Sequence, residues 1–119
     1  MEPWMTSLCH AMPKAELHLH LDGMLQVATA LELAAANDWA GFEKPLGYRE
    51  MYRKMVVQGT LKSQAELLAY FEIPGLLLQT PEALARATQE LVLAKAAERV
   101  RDCEIRWAPG LHTAKGMHT

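Results

Sequence analysis

Four side chains able to hold or use a metal ion stand at alternate positions in one short run: Glu16, His18, His20 and Asp22. Ala15, Leu17, Leu19 and Leu21 alternate with them, and Gly23 closes the run. Alternation of apolar and polar residues marks a β-strand, because successive side chains point to opposite faces. On such a strand His18 and His20 share a face with Cα atoms about 6.6 Å apart, close enough for both imidazoles to reach one ion. Zinc suits paired imidazoles. With five histidines in the chain, the spacing alone leaves equal weight on a second reading, a pair satisfied by hydrogen bonds in a core. Context favours the metal: Asp22 is expected to continue the same face, and Gly23 follows at the strand's end, from which an α/β barrel presents its functional groups. Burying two carboxylates and two imidazoles without ions or partners would be costly.

The elements that must position this strand follow from periodicity. Met24, Val27, Ala28, Leu31, Ala34 and Ala35 recur at helical spacing, which predicts a helix fraying near Asn37 and Asp38. Gly41, Pro45 and Gly47 mark an irregular connection into a short polar segment, residues 48–59, with no assigned element. Ser63 and Glu66 have capping-box spacing, so a helix is expected to begin there, carry Leu67, Leu68 and Phe71, and stop at Pro74 and Gly75. Thr80, Pro81 and Glu82 open a further helix running to about Arg99, with Leu84, Ala87, Leu91 and Ala94 facing inward. Cys103, Ile105 and Trp107 then alternate with Glu104 and Arg106, a second strand closed by Pro109 and Gly110. Two strands separated by helices make a parallel crossover rather than a hairpin. A parallel sheet needs further strands and covered faces, so the chain reads as the beginning of a larger α/β fold.

Composition bounds the partners. The chain has 119 residues, 50% of them apolar, with 12 basic and 14 acidic side chains and a net charge of −2. That is too apolar for a disordered chain, and no stretch approaches the ~20 apolar residues of a membrane span. Scattered Lys and Arg form no basic face, which argues against nucleic acid as a partner. The start lacks a secretory pattern, so a cytoplasmic location is expected. Cys9 and Cys103 lack a paired spacing and read as free thiols. No glycine-rich phosphate cradle, Gly-x-Ser-x-Gly elbow or His-Glu-x-x-His helix is present. The His-x-Glu and Pro-Cys-x-x-Cys signature of the cytidine-deaminase type of zinc site is absent too.

The run from Ala15 to Gly23 resembles the first-strand motif of the adenosine deaminases, zinc-dependent barrels of the amidohydrolase group. Gln79-Thr80-Pro81-Glu82-Ala83-Leu84, Glu104-Ile105-Arg106-Trp107-Ala108-Pro109 and Leu111-His112-Thr113 are similar to later segments of that family in the same order. The resemblance spans the chain from about Pro13, leaving residues 1–12 as a variable leader. It implies the N-terminal part of a TIM-type (β/α)8 barrel, with two parallel strands and intervening helices. It further implies that His18 and His20 are ligands to one Zn2+, that His20 lies beside the substrate, and that Asp22 receives a ribose hydroxyl. Leu67, Leu68 and Phe71 would wall the purine pocket, although a simple helical core stripe explains them equally well. Asp22, where relatives acting on the free base usually carry Glu, favours adenosine over adenine. The implied reaction is hydrolytic deamination of adenosine, and of deoxyadenosine, to inosine and ammonia.

The family's proton-shuttling glutamate, two further histidines and aspartate pair come from later strands, so no catalytic residue is expected in these 119 residues and the chain alone is expected to be inactive. His112 and His118 belong to a loop after the second strand and do not fill the gap, and Glu16 reads as a buried structural carboxylate. Two other functions stay open. One is a non-catalytic truncated product that binds metal weakly or self-associates through its exposed sheet edge. The other is a deaminase of adenine or another aminopurine.

Overall fold

The computed structural model describes residues 2–118. It is an α/β structure in which two parallel strands, β1 (Lys14–His20) and β2 (Val100–Arg106), are joined by a long helical crossover. The crossover comprises a 3-10 turn (Asp22–Met24), then α2 (Val27–Ala36), α3 (Tyr48–Met55), α4 (Gln64–Ala69), α5 (Glu72–Leu77) and α6 (Pro81–Ala97). Helix α1 (Pro3–Ala11) precedes β1 and buries none of its residues. A second 3-10 turn (Pro109–His112) follows β2. No helix among the described residues is long and apolar enough to cross a membrane.

The core lies between one face of the strands and the helices. Leu19 and Leu21 share one buried cluster with Ala83, Ala87 and Leu91 of α6, Leu77 and Leu78 at the end of α5, Ala30 and Ala34 of α2, and Met51 of α3. Met51, Leu78 and Leu91 are the largest fully buried side chains. Helix α6 starts as its sequence requires: Thr80 Oγ1 accepts from the Ala83 N–H at 3.2 Å, with Pro81 in the first turn. It ends at Ala97, and Arg99, with φ +62°, turns the chain into β2.

Helix α2 is apolar nearly all round, so no single stripe selects its buried side. Val27, Thr29, Ala30 and Ala34 are buried, while Ala28 and Ala35 of the expected stripe are exposed. Thr29 can turn inward because its hydroxyl donates to Glu90 Oε2 on α6 at 2.6 Å. Arg86 bonds the other Glu90 oxygen at 2.9 Å and reaches Glu32 at 2.7 Å, tying α2 to α6.

Three expectations are corrected. Residues 48–55 form α3, which the polar sequence hid: only Met51 is buried, so seven of its eight positions face outward or half outward. The helix opened by Ser63 does not run to Pro74. It ends at Ala69, and α5 begins at Glu72 with Pro74 in its first turn, where a missing N–H leaves no intrahelical bond unmade. Strand β2 lies three residues earlier than its pattern indicated, leaving Trp107 outside it and 47% exposed. Pairing sets that span: Lys14 N–H donates to Arg99 O at one end, and Leu21 N–H donates to Arg106 O at the other.

Candidate functional site

The site begins with an irregularity in β1. Cys103 and Ile105, two apart on β2, partner Glu16 and Leu19, three apart on β1, so β1 carries one extra residue between them. This bulge reverses the faces of the first half of the strand. Glu16 takes the Leu19 side and is half-buried, while Leu17 swings to the open side and is 59% exposed. Glu16 therefore does not share a face with His18 and His20, a correction to strict alternation.

His18 and His20 do converge. Both are exposed, with their ring centroids 5.0 Å apart and their Nε2 atoms at 3.0 Å. At that distance one ring donates a hydrogen bond to the other when the two are neutral and in complementary tautomers. Tetrahedral zinc at 2.0–2.1 Å from each nitrogen would hold them about 3.3 Å apart. The pair thus fits such an ion after widening by a few tenths of an ångström. Among the described residues no group of three or more His, Cys, Asp or Glu side chains is placed to hold a metal.

Asp22 does not continue the strand's face. Leu21 has helical torsions, φ −55° and ψ −48°, so the chain leaves the sheet before Asp22. The Asp22 carboxylate accepts from its neighbour's N–H, Gly23, at 3.0 Å. Asp22 instead borders a hollow of about 130 Å³ together with Gly23, Leu25, Met55, Leu67 and Phe71. The hollow is smaller than the roughly 300 Å³ of a complete small-molecule pocket, so it can receive only part of a ligand of that size.

The three apolar candidates separate. Leu67 and Phe71 line the hollow, whereas Leu68 does not and is 57% exposed. Phe71 also meets His20 edge-on, with centroids 6.2 Å apart and an interplanar angle of 73°. Gly23 makes that approach feasible, since a Cβ there would sit 3.2 Å from Phe71 Cε1 and 3.5 Å from His20 Cβ. Sequence reasoning missed this role of Gly23, as well as Met55 and Tyr70 in the wall. The glycine itself was the available signal.

Two polar anchors hold the chain beyond β2, at the end of the sheet where His20 lies. His112 is buried beside Trp107 and its Nδ1 lies 2.6 Å from Leu78 O. The Gln79 amide donates to Leu111 O at 2.8 Å and accepts from Ala114 N–H at 2.9 Å. His112 is thus buried in the turn after β2, with a ring nitrogen engaged by the backbone. Across the sheet from His20, Arg106 faces the same open side and pairs with Glu104 at 3.7 Å. Both are exposed, so this ion pair contributes little to stability.

The arrangement combines a two-imidazole donor pair with an adjoining hollow carrying one carboxylate and two apolar walls. Comparison with known proteins gives it a context. A family model described as adenosine deaminase matches residues 13–119. A curated adenosine deaminase of Clostridium perfringens (strain SM101 / Type A) is 41% identical over 107 residues, covering 89% of this chain and 31% of the relative. That of Vibrio vulnificus (strain YJ016) is 37% identical over 107 residues, with the same coverage. That of Clostridium botulinum (strain Langeland / NCTC 10281 / Type F) is 37% identical over 109 residues, covering 90% of this chain and 31% of the relative. The chain spans about a third of the length of these relatives. A match over nearly all of its residues, carried by the segment that forms both strands and the crossover, places this chain in the adenosine deaminase family.

Proposed function

We propose that this chain forms the zinc-binding and nucleoside-facing N-terminal part of an adenosine deaminase, and that these 119 residues alone do not turn adenosine over. The observation that carries the reading is the convergence of His18 and His20 at 3.0 Å beside the hollow bordered by Asp22, Leu67 and Phe71. Zinc at such a pair supplies Lewis acidity, lowering the pKa of a water to about 7 so that a nucleophile exists near neutral pH. His18 and His20 would hold the ion, and Phe71 orients the His20 ring from its edge.

In this reading Asp22 accepts a ribose hydroxyl. Its carboxylate has two oxygens, only one of which takes the Gly23 N–H. Leu67 and Phe71 exclude water from one face of the purine, and the hollow's size matches a share of the substrate rather than the whole. The reaction is hydrolytic deamination of adenosine or deoxyadenosine to inosine and ammonia. The name of the relatives, adenosine deaminase, and the choice of Asp at position 22 support it over deamination of the free base. The groups that would shuttle protons are not among those gathered around the histidine pair, which is why the chain alone is expected to be inactive.

A chimera tests the proposal. Residues 13–119 replace the matching third of the Clostridium perfringens enzyme, and adenosine turnover is followed with the isolated 119-residue chain alongside. The chimera should deaminate adenosine and lose activity on His18→Ala or His20→Ala, and the isolated chain should be inert. A folded chimera without turnover, or one indifferent to both histidines, would refute the reading.

A further inference from the structure

We propose that Tyr70 is a specificity-determining residue: its ring partitions the hollow beside Asp22 from a larger cavity and so restricts the substrate to nucleosides without a substituent on the ribose. The inference rests on reading the hollow as part of the nucleoside site and adds what sets its size. Beside the hollow of about 130 Å³ lies a second void of about 430 Å³, and among the described residues Tyr70 alone lines both.

One stretch of chain walls the two voids on either side of that ring. Helix α3 gives Met55 to the hollow and Arg53 and Lys54 to the cavity, and the loop after it gives Val57 to the hollow and Leu61 to the cavity. Farther on, Leu67 and Phe71 line the hollow while Ala69 and Ile73 line the cavity. Tyr70 and Phe71 keep right-handed torsions between α4 and α5, φ −71° and ψ −13° then φ −91° and ψ −5°. At helical spacing positions 67 and 71 therefore share one side, positions 69 and 73 the other, and position 70 falls on the boundary. Its N–H donates to Leu67 O at 3.1 Å, which fixes the base of the half-buried ring.

The cavity behind the ring is within the size range of small-molecule sites. Its charges offset one another: Arg53 and Lys54 stand with Glu66 and Glu72, and Glu66 already accepts the Lys62 N–H at 2.7 Å. A neutral extension suits such a lining better than a phosphate, which would also pass the Asp22 carboxylate.

The chimera described above tests the proposal with adenosine and three neutral ethers, 2′-O-, 3′-O- and 5′-O-propyladenosine. An ether on the oxygen that Asp22 receives loses its hydrogen bond, so the gain is expected at another position. Tyr70→Ala, and the milder Tyr70→Val, should raise kcat/KM for at least one ether relative to adenosine by about tenfold or more. Tyr70→Phe, which keeps the ring, should leave that ratio as in the parent chimera. Adenosine serves as the internal reference, so impaired folding lowers both rates and leaves the ratio unmoved. An unchanged ratio in Tyr70→Ala and Tyr70→Val, or loss of all turnover in both, would overturn the partition. So would an equal gain in Tyr70→Phe, or a parent chimera that accepts the ethers as readily as adenosine. Each of these leaves the nucleoside reading in place if the parent chimera deaminates adenosine; a folded parent without turnover would remove both.

Discussion

His18 Nε2 and His20 Nε2 lie 3.0 Å apart at the end of β1, close to the spacing of two zinc ligands. Removing either imidazole leaves a single nitrogen, which cannot chelate. His18→Ala and His20→Ala are each expected to lower zinc affinity by at least about tenfold, or ~1.4 kcal/mol, in competition with a chromophoric chelator. A smaller loss in either variant would show that zinc sits on other donors.

Gly23 is the close-approach position between β1 and Phe71. A methyl group there meets Phe71 Cε1 at 3.2 Å, so the ring must move by a few tenths of an ångström into the adjoining hollow. Because that hollow can take the displacement, Gly23→Ala should cost less than about 1 kcal/mol. The contact between Phe71 and His20 should loosen nonetheless, visible as a change in ring-current shifts of the His20 protons. Unchanged shifts would show that the two rings do not depend on Gly23.

Leu67 and Leu68 are adjacent in sequence and unequal in position. Leu67 borders the hollow while Leu68 faces solvent, so in the chimera Leu67→Ala should raise KM for adenosine several-fold and Leu68→Ala should leave it nearly unchanged. Equal effects would mean that the α4 face is not the purine wall.

Glu90 carries an acid-dependent link between α2 and α6. Burial raises its carboxyl pKa, but the hydrogen bonds from Thr29 and Arg86, with the charge of Arg86, outweigh that and hold it below the ordinary 4.5. A pKa lower in the folded than in the unfolded chain gives stability that is complete above 4.5 and is lost as pH falls through the lowered value. Urea midpoints for the chain should therefore fall in acid, and Glu90→Gln should flatten that fall below pH 4.5. An unchanged acid slope would assign the dependence to other carboxylates.

His112 is buried with its ring nitrogen on Leu78 O. His112→Ala removes that bond and leaves a space beside Trp107, at an expected cost of about 2–3 kcal/mol. Amide hydrogen exchange should quicken first over residues 107–114, since Gln79 alone would then anchor them. Exchange unchanged in that segment would argue that the Gln79 bonds suffice.

What the sequence determined by itself was local. Alternation around His18 and His20 marked a strand, the Thr80-Pro81-Glu82 start marked α6, and the separation of the strands excluded a hairpin; each depends on residues near in the chain and each is present. Tertiary structure decided the rest. Strand pairing introduced the bulge that moved Glu16 away from the histidines and exposed Leu17, because register depends on a partner more than eighty residues away. The hydroxyl of Thr29 went inward because Glu90 waits on another helix. Helix α3 forms although its sequence is polar, because Met51, buried, and Met55, packed against the core, fasten it there. Asp22, Leu67 and Phe71 reach one hollow because the chain leaves the strand at Leu21 and breaks between α4 and α5, two bends that no period in the sequence announces.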